Sequence, residues 1–205
     1  MVYALFIYGI NIPGGRRFSH KGLLHELERE GSPFNILGLA PHGDTLVIRL
    51  LEESSPKRIL NWVVERIDRS AVLRPLGVML DLYEHAISLV RDKFGEAFNQ
   101  KNSTVTQHGI SWEVGVVFTS LAIPVEMSLE DTRTVKVLGR HMDDTVVVLK
   151  REKRSSGKQS RIMWGKESNK VIAKPLESVL GAKPVCTSRA ISAVEWLVQR
   201  SRVFA

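Results

Sequence analysis

The period of the hydrophobic pattern changes several times along this 205-residue chain, and each change marks an element. Residues 2–8 are apolar at odd and even positions alike, which predicts a strand covered on both faces. A glycine-rich connection over residues 9–15 follows. Leu23, Leu24 and Leu27 then set a helical stripe that Gly31 ends, as a glycine just past a helix does. Residues 34–39 and 44–51 read as two strands joined by a turn at 41–43. Ser55 can cap the next helix and Pro56 suits its first turn. Ile59, Leu60, Val63, Val64 and Ile67 fall on one face of it. Leu76, Val78, Leu80 and Leu82 alternate with Gly77, Met79 and Asp81, which predicts a strand with one buried face.

This order, β-α-β-β-α-β, is the split motif of ferredoxin-like folds, in which the first and third strands are central and the fourth lies at an edge. Here the first and third are the most uniformly apolar and the fourth alternates, so pattern and topology agree. A third helix carries Tyr83, Ile87, Val90 and Phe94 on one face. Strands follow over 113–119, 134–138, 145–150 and 161–164, the last two bracketing a long hairpin loop at 151–160. A helical region over 168–180 is kinked or divided by Pro175, and a final helix from Ser188 points Ile191, Val194, Leu197 and Val198 inward. The expected fold is therefore α+β: a ferredoxin-like half over residues 1–82 packed against a smaller α+β half over 83–205. The pattern shows neither an internal repeat nor a low-complexity tract.

Composition narrows the class. Hydrophobic residues make up 43% and charged residues 25%, the balance of a globular protein. No run approaches the roughly 20 apolar residues that cross a bilayer, and the first apolar stretch lacks a basic leader and a cleavage site. Cys186 is the single cysteine, which excludes an internal disulfide and fits a reducing, cytoplasmic setting. The net charge of +7 is uneven: residues 150–161 carry six bases and one acid, leaving about +2 for the rest of the chain.

Two places attract anions. The first is the connection containing Gly9, Asn11, Gly14, Gly15, Arg16 and Arg17, a glycine-rich turn before a helix that can present backbone N–H groups to an anion. Its spacing fits neither a Walker loop nor a dinucleotide fingerprint. Arg16, Arg17, His20 and Lys21 crowd a helix start where the macrodipole disfavours positive charge by roughly 0.3–1 kcal/mol each, a penalty that a bound phosphate or carboxylate reverses. The plainer alternative is a tight turn whose bases extend into water. The second place is the basic finger: Lys150, Arg151, Lys153, Arg154, Lys158 and Arg161, against Glu152. Such a segment suits phosphate backbones through counterion release, with Trp164 at its base available to stack on a nucleobase. The alternative is a solvated loop that turns at Ser155, Ser156 and Gly157. RNA readout by the sheet itself is disfavoured, because the third strand, residues 45–50, carries no aromatic.

The six histidines, His20, His25, His42, His85, His108 and His141, form no close ligand pair on a helix face, and Cys186 has no cysteine neighbour, so no metal and no cofactor are expected. His141 with Asp143 and Asp144 reads as a site fragment or as a turn before a strand. His42-Gly43-Asp44 likewise reads as a hairpin turn. No nucleophile elbow or nucleophile–base pair is visible.

Both ends of the chain resemble the bacterial family catalogued as domain of unknown function 1697. The N-terminal Y-A-L-F-I-Y-G-I-N-I-P-G-G, followed by Leu23, Leu27 and Gly31, is similar to that family's R-G-I-N-V-G-G opening and its leucine-spaced helix. Its S-G-N hairpin turn corresponds to His42-Gly43-Asp44. Its closing T-x-R-N-W-x-T corresponds to Thr187-Ser188-Arg189-Ala190-Ile191-Ser192-Ala193. Gly9, Asn11, Gly14, Gly43, Thr187 and Arg189 match, whereas Tyr8, His42, Asp44, Ala190, Ile191 and Ala193 depart. The resemblance implies a shared fold and transfers no activity. The leading functional expectation is a non-enzymatic binding module for nucleic acid, a nucleotide or another polyanion. The alternatives are an enzyme acting on a small phosphorylated or carboxylated molecule and a protein-interaction scaffold.

Overall fold

The computed structural model describes residues 1–10, 18–41, 43–52, 54–151 and 164–204, with the backbone alone over 164–170. The protein is α+β, and its contacts divide it into two units. One is Met1–Leu80 with Glu195–Ala205, and the other is Asp81–Val194.

The first unit runs β1 (Val2–Ile7), α1 (His20–Leu27), β2 (Phe34–Leu39), β3 (Thr45–Leu50), α2 (Pro56–Ile67) and β4 (Ala71–Pro75). Its antiparallel sheet has the order β2-β3-β1-β4, so the two uniformly apolar strands are central. One face of the sheet presents Leu5, Ile7, Leu46 and Ile48 to Leu23 and Leu27 of α1 and to Ile59, Val63 and Ile67 of α2. Ala4, Phe6 and Val47, pointing the other way, are also fully buried. Ser19 caps α1 through the Gly22 amide and Ser55 caps α2 through the Arg58 amide. The fourth strand lies earlier than the sequence predicts. Leu76–Val78 form a 3-10 turn that leads into α3 (Met79–Phe94). The alternation of Leu76, Val78, Leu80 and Leu82 is thus a tight turn running into a helix, and not a pleat.

The second unit contains β5 (Phe98–Asn99), β6 (Thr104–Gln107), β7 (Ile110–Thr119), β8 (Val135–His141), β9 (Thr145–Arg151), α4 (Trp164–Leu180) and β10 (Cys186–Ala190). The sheet order is β5-β6-β7-β9-β8, and β10 also pairs with β7. β6 and β10 share one edge of β7, at residues 110–113 and 115–119 respectively. Trp164 opens α4, so the basic segment leads from a strand into a helix and the expected strand at 161–164 does not form around Trp164. α4 runs through Pro175 undivided. The last helix, α5 (Ile191–Phe204), begins later than predicted, because Ser188 belongs to β10.

Contrary to the sequence reading, the chain contains a structural repeat. β8-β9-β7-β10 has the antiparallel order of β2-β3-β1-β4, and the registers coincide. Phe6 lies opposite Thr45, and Phe118 opposite Thr145. Leu5 lies opposite Leu46, and Val117 opposite Val146. Ile7 faces Ala71 where Thr119 faces Cys186. Each second strand bulges one residue before a glycine, so that Gly38 meets Val47 and Gly139 meets Val147. The Ile7 and Thr119 amides donate to the Asp44 and Asp144 carbonyls at 2.9 Å in both cases. The Tyr8 and Ser120 amides donate to Ser70 and Val185 at 2.8 Å in both cases. Thr45 and Thr145 each donate to the preceding aspartate, at 3.2 and 3.0 Å. Arg74 and Arg189 each donate to the preceding carbonyl, at 2.8 and 2.9 Å. Arg189, one of the landmarks of the family resemblance, therefore has a framework counterpart.

The helices after the fourth strands are exchanged. From Asp81 onward α3, which follows β4, belongs to the second unit, and from Glu195 onward α5, which follows β10, belongs to the first. Trp196 of α5 packs at Gly38, where an added Cβ would sit 3.7 Å from the indole. Leu89 of α3 packs at Gly139, where an added Cβ would come within 2.9 Å of a Leu89 methyl.

Gly38→Ala is therefore expected to be neutral, or stabilising by up to about 1 kcal/mol through the unfolded chain. Gly139→Ala should cost about 1–3 kcal/mol from overpacking, much of it recovered in a background of Leu89→Ala. Leu197→Ala, at a fully buried position of α5, should cost about 2–5 kcal/mol. Urea denaturation of the variants measures all three. A loss below about 1 kcal/mol at Leu197 would contradict the inward placement of α5.

Candidate functional site

Of the two places expected to attract anions, the structure describes the flanks. Gly9 leaves β1 with φ +76°, a conformation that favours glycine, and Ile10 returns to the core at 2% exposure. Asn11, Gly14, Gly15, Arg16 and Arg17 lie outside the described residues, as does His42. α1 opens with His20 and Lys21 exposed and with no acidic residue in its first turn. His20 reaches the β2–β3 turn. A Cβ on Gly43 would stand 2.6 Å from its Nε2, and Gly43 itself has φ +74°. The start of α1 and the turn at Gly43, a landmark of the family resemblance, are thereby neighbours. α2 repeats the pattern with Pro56, Lys57 and Arg58 after its cap and no acid in the first turn. Lys57, Arg58, Ser55 and Trp62 line a shallow surface groove of about 450 Å³. The sequence signal for this second basic helix start is Ser55-Pro56-Lys57-Arg58, which also reads as a plain helix cap.

At the basic finger the structure describes the first two residues. Lys150 is a β9 residue, 6% exposed, opposite Glu113 of β7 and Val135 of β8. Arg151 ends the strand, half-buried, and its amide donates to the Thr134 carbonyl at 2.9 Å. Lys153, Arg154, Lys158 and Arg161 lie outside the described residues, as does the side chain of Trp164. Residues 151–161 keep five bases against Glu152, a segment charge of +4. The first half of the repeat makes the equivalent crossover, from its third strand to its second helix, with residues 51–55 alone. The basic segment is an elaboration that the framework does not require.

His141, Asp143 and Asp144 do not converge as a triad. Met142 takes φ +56° to turn the chain, and the Asp143 and Asp144 carbonyls accept from the Ile123 and Thr119 amides. Arg140 secures the connection after β7 by donating to the carbonyls of Ile123, Pro124 and Met127. His141 instead faces α3. Its Nε2 is 3.5 Å from Asp81 Oδ2, and its ring centroid is 5.2 Å from that of His85. His85 Nε2 is 2.9 Å from the Arg140 carbonyl, which can only accept, so Nε2 carries the proton. The sequence signal for this grouping is Asp81-x-x-x-His85, one helical turn apart, and the strand-like alternation of residues 76–82 masks it. Among the described residues no group of histidine, cysteine or carboxylate ligands could hold a metal ion. Burial pushes the Cys186 thiol up to about 12, so it is no nucleophile at neutral pH. No described helix is long and apolar enough to cross a membrane.

Comparison with models of protein families, with curated proteins and with solved structures returns no match.

Because Lys150 is packed within the sheet, its role is predicted to be one of stability. Lys150→Ala should cost about 1–3 kcal/mol, whereas Arg151→Ala at the strand end should stay within about 0.5. Chemical denaturation of the two variants checks the contrast.

Proposed function

We propose that this protein is a binding module for a polyanion, with nucleic acid as the partner class and the basic segment at 151–161 as the grip. The observation that carries the proposal is the elaborated crossover. Two halves of one framework differ here, and the longer connection holds Arg151, Lys153, Arg154, Lys158 and Arg161. Bases collected on a connection between two elements can exchange counterions for phosphates. Readout of sequence is not expected, because backbone contacts fix position without distinguishing base edges. The single buried Cys186 accords with a reducing, cytoplasmic setting for this activity.

A second reading has its own support. Bases crowd the first turns of α1 and α2 with no acid beside them, against the helix dipole. That favours a small phosphorylated or carboxylated molecule at the connection containing Gly9, Asn11, Gly14, Gly15, Arg16 and Arg17. The resemblance to domain of unknown function 1697 shares Gly9, Asn11 and Gly14 with this place and names no chemistry for it.

A polarisation titration against duplex DNA over a range of salt separates the readings. With five bases engaged, log K should fall against log salt with a slope of about −4.5, from −0.9 per phosphate. Changing Arg151, Lys153 and Arg154 to Ser should flatten that slope by about 2.7, with circular dichroism unchanged. Binding that survives unaltered would remove the proposal. If melting is instead raised by phosphate in the wild type and not in an Arg16→Ala, Arg17→Ala variant, the small-anion reading takes its place.

A further inference from the structure

The repeat supplies an internal control for every framework position, and His141 fails it. Arg140 and His141 of the second repeat correspond to Leu39 and Ala40 of the first, and Thr119 corresponds to Ile7. The Ala40 amide donates to the Thr45 carbonyl at 2.8 Å, and Ala40 is buried at 2%. The fold therefore asks only for small or apolar side chains at these places. The second repeat puts there an imidazole that is 7% exposed and whose Nε2 is buried without a hydrogen-bond partner. A buried polar atom left in that state is rare and calls for a role beyond packing.

We propose that His141 is a proton sensor that holds the β8–β9 turn shut when neutral and releases it when protonated, with Asp81 of α3 receiving the charged ring. The neutral ring fits the seat because it brings no charge into the protein. The added proton goes to a ring nitrogen of His141, and the resulting imidazolium has an acceptor close by. Asp81 Oδ2 is 3.5 Å away, within ion-pair reach but beyond a good hydrogen bond, on a carboxylate whose side chain is 75% exposed, so closing that contact draws the charged ring toward water. The groups facing His141 are Asp81 and His85 on α3 and Asp144 at the turn. Arg140, next to it on β8, is committed to three carbonyls. His85 is anchored to the Arg140 carbonyl and does not follow the ring. Burial is the largest influence on His141 and pulls its pKa below 6.5. Asp81 pulls it up, His85 pulls it down and Asp144 pulls it up. A folded value below the unfolded one means that the closed seat keeps its full advantage above about pH 6.5. That advantage is lost as pH falls through the folded value.

The carbonyls of Asp143 and Asp144 hold the Ile123 and Thr119 amides, so those two amides report on the turn directly. In the full chain, imidazole resonances followed by NMR from pH 8 to pH 4 should give His141 a midpoint below 6.5. Asp81→Asn should move that midpoint lower. Hydrogen exchange at Ile123 and Thr119, corrected for its intrinsic pH dependence, should accelerate at least tenfold across the same interval. The acceleration should vanish in His141→Phe, or in His141→Gln if the Phe variant does not fold. A His141 midpoint at or above 6.5 would overturn the proposal, as would protection of both amides that is unchanged across the midpoint.

Discussion

Two central strand pairs, β1 with β3 and β7 with β9, constrain everything else in this protein. Each pair is buried on both faces, so every backbone amide and carbonyl along it must find its partner in the ladder and every side chain must be apolar or satisfied. Leu5 opposite Leu46 and Val117 opposite Val146 are the same solution reached twice. Once these pairs are set, the outer strands have few choices. β2 and β8 join through hairpins that end in Asp-Thr, and β4 and β10 close the other edge after a helical crossover. The glycines after the two bulges then leave room for a helix, which in each unit comes from the other half of the chain.

The proposed function rests on what the two copies do not share. The connection after the first strand contains a helix in the first repeat and none in the second, where Arg140 secures it instead. The crossover after the third strand is short in the first and long and basic in the second. Where the first repeat has Leu39 and Ala40, the second has Arg140 and His141. A common framework thus separates residues that the fold demands from residues that it merely tolerates. Arg189, matched by Arg74, falls on the first side of that line. The basic segment and His141 fall on the second.

The strands with clean apolar signatures were legible in the sequence: residues 2–8, 45–50 and 113–119 all lie in or around observed strands, and α2 appeared with its cap. What escaped detection did so for physical reasons. β4 has only Ala71, Val72 and Leu73 to announce it, while the neighbouring Leu76, Val78, Leu80 and Leu82 imitate a strand across a 3-10 turn. β10 reads Cys186-Thr187-Ser188-Arg189-Ala190, a strand of buried polar residues that looks like a helix cap because its hydrogen bonds are tertiary. The repeat escaped because burial constrains residue class and not identity, so Val116 can stand for Ala4 and Thr119 for Ile7. The Asp81–His85–His141 grouping required α3 to be placed first.

The central claim is that one framework occurs twice and that the second copy carries its binding function on an inserted basic crossover. Replacing residues 152–163 with the Glu52-Glu53-Ser54-Ser55 connection of the first repeat tests it most directly. If the claim holds, the shortened chain keeps its circular dichroism and a cooperative melt within a few degrees of the wild type, on the order of a 1 kcal/mol change for a domain of this size, and loses its affinity for duplex DNA. An unfolded product would contradict the equivalence of the two crossovers, and a folded product that still binds DNA would contradict the role assigned to the basic segment.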